Sequence, residues 1–270
     1  MTWKPGGKMP FPMETFDQLQ GFFWILTRVS VLFFLLPLFG ARGIPSLWKA
    51  GLSMAIAIVL TPVVPPPTVF PETAPEIIIG IASEVVMGLI LATAILMFFA
   101  IVQMAGQFMS FQTGFAMAQA MDPQTGAQNN VLTQFLYLFT VLIFFSINGH
   151  HLFIRAMASS FYIVPPNSLT FNPAISKELI DISAKMFMLG VRIAAPILVA
   201  LFLSNLCLGI IAKTVPQMNI LMVGFPVNLS IGLIIFSFLL LNFQPFLVNM
   251  AEMMGDALEL SLIHISEPTR

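Results

Sequence analysis

Charge is what this chain most conspicuously lacks. Among 270 residues, 11 are Lys or Arg and 12 are Asp or Glu, a charged fraction of 9%, where soluble globular domains carry about 25%. The balance of −1 leaves no basic footprint for a phosphate backbone, which excludes a nucleic-acid partner. Cysteine is nearly absent: Cys207 stands alone in an apolar run, which excludes a disulfide framework or a cysteine-ligated metal and reads as a buried structural thiol. His150 and His151 are adjacent, so on a helix they diverge. With no acid at ligand spacing, they read as a wet helix end rather than a metal site. No HExxH, GxSxG, Walker loop or GxGxxG occurs. Hydrolase, motor and dinucleotide chemistry therefore have no machinery, and the reading is of a non-enzymatic chain without catalytic residue, cofactor or metal.

What the chain has in abundance is apolar sequence. A hydrophobic share of 58% and a mean hydropathy of +0.93 predict an all-α, polytopic membrane protein. Lys4 and Lys8 are followed by Pro and acids rather than an apolar core, so the amino end is not expected to be a cleavable signal. Six apolar segments, near 21–39, 47–64, 77–102, 131–147, 187–211 and 220–241, are long enough, or nearly so, to cross a hydrocarbon core of about 30 Å. Thr73, Ala74, Pro75 and Glu76 form a capping box with proline in the first turn, so the third helix is predicted to start there. Run on to Phe108, it would measure about 50 Å, too long for one straight span. Asp122 with Pro123 predicts the start of the fourth helix, and Asn172 with Pro173 that of a long fifth helix kinked at Pro196. Beyond Pro245 an amphipathic tail helix is expected, with Glu252, Asp256 and Glu259 on one face and Phe246, Met250, Met253 and Ala257 opposite.

The segment Gln103 to Asn130, QMAGQFMSFQTGFAMAQAMDPQTGAQNN, combines Met, Phe, Gly and uncharged amides around a single charge, Asp122. A solvent loop would hold charged and hydroxyl clusters, and a lipid-facing span would not tolerate so many amides. The composition predicts irregular backbone buried within a protein assembly, roughly Met109 to Met121. Unbranched Met and permissive Gly suit a closure that seals and then yields. Gln103 and Gln107, like Gln124 and Gln128, repeat at four residues and line a helical face, either as packing amides or as the wall of a polar, uncharged conduit. Arg28, Glu84 and Arg192 lie within apolar runs. They read as structural charges, with Glu84 and Arg192 holding helices in register and Arg28 snorkelling or pairing with an acid.

Three motifs in order, PLFGARGIP, GFAMAQAMDPQTG and AKTVPQMNILMVGFPVN, resemble those of the FliR family of flagellar biosynthetic proteins, type III secretion export-gate subunits. The similarity runs from about Phe16 to Leu260; Asn228 stands where a basic residue is expected. The resemblance implies a subunit of the flagellar protein export gate in the bacterial inner membrane, within the flagellar basal body. Its partners would be FliP and FliQ, then FlhB and FlhA, with unfolded flagellar export substrates as cargo and membrane lipid around it. It further implies long, kinked helices wound with partners into a helical cone: a FliP-like part at 1–147, a connector at 148–172, a FliQ-like helix pair with the amphipathic tail at 173–260, and a non-native or disordered tail at 261–270. The family's channel plug carries over onto 108–121, that is Phe108, Met109, Phe111, Gly114, Phe115, Met117, Gln119 and Met121. A secondary transporter for a small solute, built on the broken helices and on Arg28, Glu84 and Arg192, is the competing reading; a purely structural scaffold is a third.

Overall fold

Two helix starts fall where capping residues place them. The third helix begins at Ala74 with Glu76 in its first turn, and the Ile77 N–H reaches the Thr73 carbonyl at 3.1 Å. The seventh begins after Asn219, whose side chain accepts from the Met222 N–H. The computed structural model describes residues 16–36, 45–65, 71, 73–115, 130–167, 174–215, 217 and 219–266. All its described elements are helices: α1 (Phe16–Leu35), α2 (Ser46–Leu60), α3 (Ala74–Thr113), α4 (Val131–Ser146), α5 (Gly149–Ile163), α6 (Ala174–Thr214), α7 (Ile220–Leu241) and α8 (Phe243–Ser266).

Length decides which of these cross a membrane. Among the described residues, α3, α6 and α7 each contain a stretch long and apolar enough, and α4 with α5 qualifies as a fourth only as a broken span bent by 70°. Of the six apolar segments marked in the sequence, the first two therefore fall short among the described residues. The 15 residues of α2 reach only about 22 Å at 1.5 Å each, and the described apolar part of α1, Leu19–Leu35, is also short. At 40 and 41 residues, α3 and α6 run to about 60 Å, twice a hydrocarbon core.

Four further expectations differ from the fold. α3 continues to Thr113, so Met109 to Thr113 are helical rather than loop; Gln and Met are good helix formers, and the helix ends only where a glycine permits it. A continuous helix from Pro123 is interrupted at Asn130, which is extended (φ −62°, ψ 137°), while Asp122 and Pro123 themselves lie outside the described residues. The segment 148–172 contains α5, whose buried Phe153, Met157, Ser160 and Phe161 recur at four, three and one residues along a single face. α8 runs on to Ser266, into the stretch expected to be non-native or disordered.

The chain forms two compact units. One holds α1, α2, the first part of α3, α5 and the end of α8. Its core is Trp24, Val29, Leu32, Met87, Leu91 and Phe161. Tyr162 of α5 donates its hydroxyl to the Val63 carbonyl just past α2.

The other unit holds the last part of α3, α4, most of α6, α7 and the start of α8. Phe98 and Phe99 of α3 pack on Phe144 of α4 with ring centroids 5.8 and 5.5 Å apart, while Gly106 faces Thr133. Rising numbers on α3 meet falling numbers on α4, so the two helices are antiparallel. α6 and α7 are antiparallel too: Leu201 lies by Gly232, Ser204 by Asn228 and Leu208 by Gly224. At the start of α8, Phe243, Leu247, Met250, Ala251 and Met254 are buried and Glu252 is exposed. Met253, expected on the apolar face, is 51% exposed; the buried stripe runs through 250, 251 and 254 instead.

Candidate functional site

Antiparallel packing of α3 and α4 brings both stems of the intervening segment to one place. α3 terminates at Gly114 in the left-handed region (φ +89°), and the extended Asn130 leads into α4. An L side chain at Gly114 would be strained there, and a Cβ would also stand 3.1 Å from the Phe225 ring of α7. About two turns earlier, on the α4 side, a Cβ on Gly106 would meet the Thr133 Cα at 2.9 Å. That is backbone against backbone, so the two helices close to this distance only because position 106 has no side chain. Thr113 packs against Gly232 of α7, and Phe108 meets Phe187 of α6 edge-on at 6.4 Å. Four helices therefore clamp the root of the segment. Replacing Gly106 with leucine should cost about 1–3 kcal/mol by forcing α3 from α4. Gly51→Leu, on a surface with nothing within 4 Å, should stay within about 0.5 kcal/mol; thermal unfolding of the purified variants compares them.

The root is polar but incompletely satisfied. Thr113 donates its hydroxyl to the Met109 and Ser110 carbonyls, yet Ser110 Oγ, Thr133 Oγ1 and Asn130 Oδ1 are buried and find no hydrogen-bond partner among the described residues. Such groups are costly unless something bonds them. Of the residues expected in a plug, Met109 is buried, Phe108, Gly114 and Phe115 are half-buried, and Phe111 is 73% exposed. Met117, Gln119 and Met121 lie outside the described residues. Gln103 is half-buried and Gln107 exposed on α3; Gln124 and Gln128 also lie outside.

A second cluster is closed on itself. Arg28 of α1 and Glu84 of α3 are 0% and 1% exposed. Arg28 Nε donates to Glu84 Oε2 at 2.7 Å and Nη2 to Oε1 at 3.2 Å. Nη1 donates to Ser160 Oγ, and both terminal nitrogens donate to the Val164 carbonyl, each at 3.2 Å. All five guanidinium protons are thus matched to acceptors. The guanidinium carbon lies 4.1 Å from the centroid of the Phe161 ring, a cation–π contact. Glu84 Oε1 also accepts the Asn167 N–H at 2.9 Å, with Asn167 itself at φ +62°. The pairing expected between Glu84 and Arg192 is therefore corrected: the partner of Glu84 is Arg28, 56 residues away in sequence. Ser160, Phe161, Val164 and Asn167 belong to the cluster and were not anticipated; the Pro165–Pro166–Asn167 turn is the one local signal that could have pointed there.

Arg192 is exposed on α6 beside Pro196. At Asn228, the Ser204 hydroxyl donates to Oδ1 at 2.9 Å and Nδ2 donates to Asn205 Oδ1 at 2.7 Å. An amide here ties α6 to α7 where a basic side chain was expected. Cys207 is exposed, which corrects the buried-thiol reading. Among the described residues no group of His, Cys, Asp and Glu could hold a metal.

A protein-family model described as "Bacterial export proteins, family 1" matches residues 19–254. The chain is 33% identical to the flagellar biosynthetic protein FliR of Bacillus subtilis over 81% of its length and 85% of the relative's. It is 30% identical to the FliR of Pectobacterium carotovorum over 91% and 94% of the two lengths. To the Escherichia coli FliR it is 28% identical over 84% and 87%.

Proposed function

The chain belongs to family 1 of the bacterial export proteins, with the FliR proteins of flagellar biosynthesis, and from that premise we propose that its segment between Gly114 and Asn130 closes a protein-conducting channel. It is a membrane-spanning flagellar export protein and not an enzyme. The observation that carries the reading is the clamped root: α3 and α4 end together, held by α6 and α7, while the segment between them is rich in Met, Gly and amides. A rigid stem with a soft tip suits a seal that yields when polypeptide passes and then re-forms. Helix packing alone gives no reason for that composition at a break between helices.

In this reading Phe108, Met109, Phe111, Gly114, Phe115, Met117, Gln119 and Met121 form the gasket, and Gln103, Gln107, Gln124 and Gln128 supply neutral dipoles around it. The gate is completed by FliP and FliQ, with FlhB and FlhA against it, in the bacterial inner membrane at the flagellar basal body; unfolded flagellar export substrates pass through. Broad apolar surface on α6 and α7 supports burial by lipid and partners: Phe202, Leu203, Ile210, Met222 and Leu241 are all more than half exposed. Glu84, central to the transporter alternative, has both oxygens engaged by Arg28 and one also by Asn167, as a structural ion pair requires.

Phe111 supplies the test. A photo-crosslinking residue at position 111, in the assembled gate with an export substrate stalled in transit, is expected to capture the substrate. The same residue at Trp48 of α2, 73% exposed, is expected to capture none. Capture at 48 and not at 111 would contradict the reading.

A further inference from the structure

Arg192 takes no part in the proposed closure, and its surroundings have a chemistry of their own. It lies in the candidate span Ser183–Thr214 of α6 and is exposed. Among the described residues no hydrogen bond or ion pair engages it. A cation in an apolar span needs an anion or access to the interface. The antiparallel register of α6 and α7 sets Arg192 level with Asn242, just past the apolar stretch Met222–Leu241, where a span meets the headgroup layer.

The same residue also offers an acceptor. Pro196 has no N–H, so the Arg192 carbonyl loses its ordinary helical donor four residues on. Beside both lies a cavity of about 320 Å³, within the range of about 300–1,000 Å³ typical of ligand pockets. Arg192 and Asn242 form its polar part, and Ile235, Phe238, Phe243 and Phe246 its apolar wall. Asn242 donates one Nδ2 proton to the Phe238 carbonyl at 3.2 Å and is neutral, so the Arg192 cation is the group that selects by charge. A cation without a partner among the described residues, a carbonyl without its helical donor and an oily slot together describe the complement of an amphiphilic anion bearing a hydroxyl.

We propose that this cavity is a binding site for an anionic phospholipid. The phosphodiester sits on the Arg192 guanidinium, a headgroup hydroxyl donates to the Arg192 carbonyl, and an acyl chain occupies the cavity between α6, α7 and the start of α8. Charge complementarity favours phosphate, and the apolar lining favours a lipid over a free ion.

The assembly containing the full chain, delipidated in mild detergent, is titrated with phosphatidylglycerol, phosphatidylcholine or inorganic phosphate, and retained lipid is counted by native mass spectrometry. Phosphatidylglycerol is expected to be retained about tenfold more tightly than phosphatidylcholine at one site. Arg192→Gln should remove that preference without weakening phosphatidylcholine. Phe238→Ala, on a ring that is 63% exposed and so tolerant of change, should weaken both lipids alike. Equal retention of the two lipids, a preference that survives Arg192→Gln, or displacement by millimolar inorganic phosphate would each overturn the proposal, the last by marking a free-anion site. None of these readouts depends on whether the channel is closed.

Discussion

Replacing Arg28 with alanine is expected to destabilise the folded chain by about 3–5 kcal/mol, because Glu84 would be left buried without its partner. Glu84→Gln should cost nearly as much, since it strands a guanidinium at 0% exposure. Arg28→Lys falls between wild type and alanine: lysine keeps the charge but has three donors on a point charge, where arginine fills five acceptor positions in a fixed fork. The double substitution Arg28→Ala with Glu84→Gln is expected to cost less than the sum of the two singles, by about 0.5–3 kcal/mol. It removes both charges, and the new amide oxygen still accepts the Asn167 N–H. Thermal unfolding of the detergent-solubilised protein should fall by on the order of 10 °C in the worst single variant. A drop of a degree or two in every variant would show that the pair does not hold α1, α3 and α5 together.

That cluster shows how far the amino-acid sequence could be read. Arg28 and Glu84 announce themselves as charges inside apolar runs, so their need for a partner was legible. Their pairing was not, because 56 residues separate them and only the packing of α1 on α3 decides which charge meets which. The third member, α5, was hidden by its composition: GHHLFIRAMASSFYI mixes polar and apolar residues at helical spacing, which reads as a wet connector when only long apolar runs are counted. The helix start at Ala74 was legible because its capping signal is local, whereas the cap at Asn219 was not read as one, the glycine and prolines around it suggesting a connection. The end of α3 was missed because amides and methionine suggest a loop while favouring helix, and Gly114 alone stops it. Cys207 and Met253 share another cause. An apolar neighbourhood in a membrane chain does not say which face points inward, since lipid and core are equally oily. At the candidate site, the soft composition of the loop was visible from the outset. Its clamp was not, because Gly106 against Thr133 and Gly114 against Phe225 are tertiary contacts.

The second large effect concerns the loop itself. Deleting Gly114 to Ala120 removes the left-handed turn and half of the Met- and Phe-bearing segment, but leaves Ser110, Thr113, Thr133 and the packed faces of α3 and α4 in place. The deletion takes the Gly114 contact with Phe225 but spares Gly106 against Thr133 and Thr113 against Gly232, so assembly should persist while closure fails. The loss should be large, because a seal is an all-or-none barrier to ions, whereas single packing contacts contribute only tenths to a few kcal/mol. Flagellar export should continue, with poorer control over what else passes.

Ion conductance across a membrane holding the assembled complex is the most direct measurement of whether this segment is a closure. With the intact chain the complex should be tight to ions when no substrate is in transit; with Gly114 to Ala120 deleted, the same complex, still carrying all its subunits, should conduct. An assembled deletion complex as tight as the intact one would contradict the account at its centre.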